Sequence, residues 1–166
     1  MPHVVIFYTS NLEACADMGG LCRKLADTML TVCAEDGSQV FPTGGVRVFA
    51  YPAPHYAVAD GGAAGIAAGG DGDYGFIYLN LRMGRGRSDE VKKQAGDALL
   101  QCAREHLQPV FDKRHLGLTV QVDESPGQVY DAKYSTQVRG GEGFFRQVDR
   151  EESLIHLLRV NVLKRM

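Results

Sequence analysis

Pro2 and a small set of arginines are the residues of this chain whose types and positions suggest chemistry. Removal of Met1 before proline would leave a secondary amine at the head of an apolar strand. A first strand position need not donate to the ladder, so proline is tolerated there. Model α-amino groups titrate near ~7.7–8.0. Proline's amine is intrinsically more basic, but apolar burial and nearby guanidinium groups disfavour its cation and lower its pKa. A neutral fraction near pH 7 would make Pro2 a rigidly held general base. The plainer reading, a terminal proline without a role, stands beside this one.

The flanking elements decide what reaches Pro2. Residues 2–9 read as a strand rich in β-branched and aromatic side chains. From about Asp17 to Cys33, Met18, Leu21, Cys22, Leu25, Met29, Val32 and Cys33 recur at helical spacing, although Gly19-Gly20 weakens the start. Val46–Tyr51 is a second strand after a connection containing Phe41, Pro42 and Gly44-Gly45. The order repeats with a strand over 73–82. A helix capped by Ser88 follows, running to about His106 with Pro109 as its end, and then an alternating strand over 115–123. Two β-α-β units, 2–51 and 73–123, are therefore expected, each with parallel strands. They predict a four-stranded mixed α/β (α+β) sheet with both helices on one face, a two-layer sandwich.

In a parallel pair the strand starts share a sheet edge, so Arg47 falls near Pro2. If the second unit packs by pseudo-twofold symmetry, the end of its first strand also lies there. That brings Arg87, and with less support Arg85, toward the same place. One base and two cations suit a dicarboxylate that must lose an acidic proton, because arginine grips carboxylates bidentately and stabilises a developing dienolate. Tyr8, Phe41 and Tyr51 are aromatic candidates for pocket walls, with core packing equally open to each.

Other signals are weak. Gly84-Arg85-Gly86-Arg87 lacks the third glycine of a dinucleotide fingerprint and the ending of a phosphate loop. His3, His55, His106, His115 and His156 show no metal spacing. Glu13 and Asp17 are explained as scattered surface carboxylates. Cys15, Cys22, Cys33 and Cys102 form no C-x-x-C pair, and three of them are expected to pack along the first helix.

Composition narrows the classes further. The 166 residues fit one domain, and 45% hydrophobic with 23% charged residues describes a globular protein. A net charge of −2 gives no global field for nucleic acid or anionic membrane, so neither is expected as a partner. No apolar run approaches the ~18 residues of a spanning helix. The start lacks the pattern of a secretory signal, and with sparse cysteines a cytoplasmic setting is expected. Residues 61–72 (GGAAGIAAGGDG) have little to bury and read as a mobile linker. Residues 125–166 read as a C-terminal extension beyond a 2–124 domain, with Leu154, Ile155, Leu157, Leu158 and Val162 suiting a peripheral helix.

Several segments together carry a resemblance: Pro2-His3 followed by a strand and Thr9-Ser10-Asn11, Phe41-Pro42-Thr43-Gly44-Gly45-Val46-Arg47, Ala59-Asp60-Gly61 with Asp73-Tyr74, and Met83-Gly84-Arg85-Gly86-Arg87-Ser88. In order and spacing they resemble the 5-carboxymethyl-2-hydroxymuconate delta-isomerase family of the tautomerase superfamily, over residues 2–60 and 73 to about 124. The resemblance implies a homotrimer with active sites near subunit interfaces and no cofactor or metal. It implies an N-terminal proline that shuttles a proton from the 2-hydroxyl side to C-5 of a muconate, in homoprotocatechuate catabolism. Arginines at positions matching Arg47 and Arg87 would hold carboxylates and polarise the 2-oxygen. The glycine–alanine stretch and the segment beyond about 137 lie outside the shared pattern, which leaves the substrate less defined than the proton transfer. Another reaction of the superfamily (a different enol, decarboxylation or dehalogenation) and a silent carboxylate-binding trimer remain alternatives.

Overall fold

The computed structural model describes residues 2–70, 72–125 and 127. Its elements are β1 (His3–Thr9), α1 (Met18–Thr31), β2 (Arg47–Ala53), α2 (Ala63–Ala67), β3 (Gly75–Met83), α3 (Asp89–Phe111) and β4 (Leu116–Glu124). Single 3-10 turns occupy Ser10–Leu12 and Thr43–Gly45. The four strands form one sheet in the order β2-β1-β3-β4. β1 runs parallel to β2 and antiparallel to β3, and β3 runs parallel to β4. This is the arrangement of two β-α-β units related by a pseudo-twofold, as the sequence predicts.

Alternation selects the covered face. Val4, Ile6 and Tyr8 of β1 and Ile77, Leu79, Leu81 and Met83 of β3 are buried. Against them lie Met18, Leu21, Leu25 and Met29 of α1 and Ala95, Leu99, Ala103 and Leu107 of α3, in one continuous core. Both helices thus cover the same face, and no helix among the described residues covers the opposite one. There Phe7, Phe49, Tyr51 and Phe76 are exposed.

Local chemistry explains where the elements begin and end. Asp17 caps α1, its Oδ1 accepting from the Gly20 N–H at 2.8 Å. A Cβ on Gly20 would sit 2.2 Å from Asp17 Oδ2 and 3.2 Å from His106 Cε1. The glycine that weakens the helix start on propensity grounds is therefore what admits the cap. It also lets His106 Nε2 reach the Asp17 carbonyl oxygen at 2.8 Å. Asp17 is thus a capping residue, and Glu13 lies outside the helix it begins. Ser88 caps α3 through the Val91 N–H at 3.3 Å, with Asp89 and Glu90 in the first turn.

Some expectations are corrected. α3 runs through Pro109 to Phe111 rather than ending before it. The missing N–H deprives only the carbonyl of Glu105, an exposed residue that water can serve, while the added turn buries Val110. Cys15 and Cys33 lie outside α1 and are exposed; only Cys22 and Cys102 pack against the core.

The described residues of the 61–72 stretch are not a featureless linker. Asp60 accepts from the N–H groups of Gly62 and Ala64, at 3.1 and 2.9 Å, and so starts α2. The Tyr74 hydroxyl accepts from the Gly65 N–H at 2.8 Å, and His115 packs edge-on against the Tyr74 ring. Gly62, at φ +93°, is buried so closely that a Cβ would fall 1.5 Å from the Gly72 carbonyl oxygen. The stretch buries glycine backbone where other segments bury side chains. The helix expected within 125–166 lies outside the described residues.

Candidate active site

The starts of β1 and β2 meet the ends of β3 and β4 at one end of the sheet. His3 pairs with Arg47 of β2 on one side and with Arg82 of β3 on the other. Pro2, one residue earlier, is buried. The Thr43–Gly45 turn supplies its neighbour, since a Cβ on Gly45 would lie 3.4 Å from Pro2 Cδ and 3.7 Å from Cγ. The tighter constraint on that position is Pro42, whose Cγ such a Cβ would meet at 3.0 Å. The Gly45 N–H donates to the Pro42 carbonyl at 2.7 Å, which holds the turn shut.

Two guanidinium groups brace the same segment. Arg47 Nη1 donates to the carbonyl oxygens of Gly44 and Val46, the latter at 3.0 Å. Arg87 reaches in from the loop after β3; its Nη2 donates to Val40 O at 3.2 Å and its Nη1 to Gly84 O at 3.0 Å. The Arg87 guanidinium carbon stands 5.3 Å from the centroid of the Phe41 ring. Burial lowers the pKa of Arg87, and the Glu124 carboxylate partly opposes this. Arginine nevertheless remains a cation, so the charge is held in a poorly solvated place where it acts strongly on an anion.

Of the residues singled out in the sequence, Pro2, Phe41, Arg47 and Arg87 are thus gathered around residues 40–46. Phe41 is fully buried, so its contact is with Arg87 from below rather than with a ligand. Arg85 is exposed and its Nε donates to Ser125 O at 3.2 Å, which ties it to the end of β4. Tyr8 is not part of the group. It stands six residues along β1 from Pro2, about 20 Å at ~3.3 Å per residue, and is buried in the core. Burial, then the nearby Glu13 carboxylate, raises its pKa. The 61–72 stretch is equally remote, because it packs where β1 ends and β3 begins.

The row beside Pro2 contains residues that the sequence did not single out. Arg82 Nε donates to Asn80 Oδ1 at 2.7 Å, and Asn80 Nδ2 donates to Asp123 Oδ2 at 2.8 Å. Asn80 is only 2% exposed although it lies on the open face. The available clue was the run Tyr78, Asn80, Arg82, a polar alternation inside an otherwise apolar strand.

The arrangement can hold a neutral amine against a carboxylate-binding pair of cations. Comparison with known proteins identifies the family of the chain as a whole. The family model described as 5-carboxymethyl-2-hydroxymuconate isomerase matches residues 2–136. The 5-carboxymethyl-2-hydroxymuconate Delta-isomerase of Escherichia coli is 27% identical over 124 residues, 75% of this chain and 86% of that one. A crystal structure of a 5-carboxymethyl-2-hydroxymuconate delta-isomerase is 60% identical with a TM-score of 0.79, covering 81% of this chain and 89% of that one. The isomerase from Deinococcus radiodurans R1 is 33% identical with a TM-score of 0.65, covering 81% of this chain and 90% of its own.

Proposed function

The chain belongs to the 5-carboxymethyl-2-hydroxymuconate isomerase family, and we propose that it ketonises 5-carboxymethyl-2-hydroxymuconate with Pro2 as the acid–base group. The packing of the Pro2 ring on Gly45, in a turn braced by Arg47 and Arg87, carries this reading.

Once Met1 is removed, the neutral Pro2 nitrogen takes the proton of the 2-hydroxyl group. The O–H electrons form the 2-oxo bond, the C2–C3 pair moves to C3–C4, and the C4–C5 pair accepts a proton at C-5 from the same nitrogen. Nothing is oxidised or reduced, and the product is an unsaturated 2-oxo acid. Arg47 and Arg87 hold carboxylates and polarise the 2-oxygen, so that charge developing on oxygen meets a cation already in place. Burial of Pro2 and the nearby cations favour its neutral form. Arg85 is left with a minor role at most, because it is anchored on Ser125.

We place the active unit as a homotrimer. The face opposite the helices carries Phe7, Phe49 and Tyr51 at 52%, 44% and 48% exposure, with Phe7 and Tyr51 ring centroids 5.9 Å apart. A contiguous aromatic patch of this kind favours burial against further copies of the chain. No helix among the described residues is long and apolar enough to cross a membrane, and the finer assignment to the cytoplasm rests on the free cysteines.

The test is N-terminal sequencing of the purified protein followed by an ultraviolet ketonisation assay. A chain beginning at Pro2 should turn the substrate over, and a variant retaining Met1 should lose roughly 10²–10⁴-fold in kcat. An equal rate with Met1 retained would remove Pro2 from the mechanism. Binding without turnover by the processed chain would make the protein a carboxylate-binding module instead.

A further inference from the structure

The proposed substrate carries three carboxylates, two on the muconate and one on its carboxymethyl branch, whereas the residues assigned so far supply two guanidinium groups. We infer that Arg82 is the third carboxylate anchor and the residue that favours tricarboxylate over dicarboxylate enols. This rests on the ketonisation reading above and extends it to specificity.

The placement follows from register. Arg47, His3 and Arg82 are successive partners across β2, β1 and β3, so their side chains leave the same face of the sheet. Strands are ~4.8 Å apart, which puts the two arginine backbones about 10 Å from each other on either side of the residue that follows Pro2. Arg82 therefore flanks the start of β1 as Arg47 does, from the opposite side.

Its side chain is also prepared for an anion. The Nε group is fixed on Asn80, which is nearly fully buried and is fixed in turn on Asp123. Gln121 holds the other oxygen of Asp123 at 2.8 Å, and the Tyr78 hydroxyl donates to Gln121 at 2.9 Å. These hydrogen bonds and the Arg82 charge hold Asp123 ionised, with its pKa below the usual carboxylate value. Among the described residues no hydrogen bond engages either Nη of Arg82, although the residue is exposed. A guanidinium anchored at one end and open at its fork loses little freedom when it grips a carboxylate in two-point fashion.

The experiment compares 5-carboxymethyl-2-hydroxymuconate with 2-hydroxymuconate, which lacks the third carboxylate, in the wild type, Arg82→Gln and Arg82→Lys. The expected result for Arg82→Gln is a KM raised roughly tenfold to a hundredfold for the tricarboxylate. Its KM for the dicarboxylate should stay within about twofold, with kcat unchanged for both. Arg82→Lys keeps the charge without the fork and should recover part of the loss. Equal losses on both substrates, or none on either, would overturn the inference while leaving the reaction standing. A wild type that ketonises neither compound would overturn the reaction and the inference together. Sedimentation of each variant separates the outcomes, since a changed assembly mass would assign Arg82 to subunit contact and also overturn its role at the substrate.

Discussion

The Phe41 ring lies 5.3 Å below the guanidinium carbon of Arg87, and the same arginine donates to the carbonyl of Val40, the residue just before that ring. Cation–π attraction of this kind contributes about 0.5–2 kcal/mol, more as the cation is desolvated. Together the two contacts set where a flexible side chain directs its remaining donors. Phe41→Leu should therefore raise KM for the carboxylate substrate by roughly 2–30-fold with kcat little changed. Steady-state kinetics beside a melting curve check this. A lowered melting temperature with an unchanged KM would reduce the ring to core packing.

Gly45→Ala tests the approach of the turn to the proline. The new methyl would meet Pro42 Cγ at 3.0 Å and Pro2 Cδ at 3.4 Å, so the turn at Pro42 must give by a few tenths of an ångström and moves relative to the proline ring it touches. The expected fall in kcat is roughly threefold to tenfold, because displacements well under 1 Å already misalign a proton donor. Stability should change by less than about 1.5 kcal/mol. An unaltered kcat, measured on the chain beginning at Pro2, would show that the turn does not position the proline.

The open face predicts an assembly. Sedimentation should return a mass near three chains for the native sequence. Phe7→Lys places a charge in the aromatic patch, where burial would desolvate it, and should shift the mass toward one chain. A monomeric native protein would contradict the proposed interface.

Asp60 predicts an acid response confined to residues 61–72. The Ala64 N–H, and then that of Gly62, lower its carboxyl pKa. A folded value below the unfolded ~3.9 means that the stabilisation is complete above that pH and is lost as pH falls through the folded value. Amide exchange at Gly62 and Ala64 should accelerate over that interval while β1 amides stay protected. Asp60→Ala should show the fast exchange at neutral pH as well.

The fold was largely legible because its strands and helices obey the two periods of 2 and 3.6 residues, and Val4, Ile6, Leu21 and Leu25 announce their faces without reference to distant residues. Ser88 likewise declares its helix through the residues just after it. Local spacing could not reveal that His106 reaches from α3 to the Asp17 carbonyl at the start of α1, nor the fold of residues 61–70, which depends on Tyr74. Pro109 misled for a related reason: the backbone cost is local, whereas the burial of Val110 that offsets it comes from the core.

Pro2, Arg47 and Arg87 could be named from the sequence by their chemical types and the order of elements, since parallel and antiparallel pairing bring strand ends together by topology alone. Side-chain partners are another matter. Whether Tyr8 faces a ligand or the core, whether Phe41 touches substrate or underlies Arg87, and whether Arg82 stands in the row beside Pro2 depend on the register of neighbouring strands. Register is a property of pairing across the sheet, and a slip of one residue would reverse every face, so only the folded chain decides it.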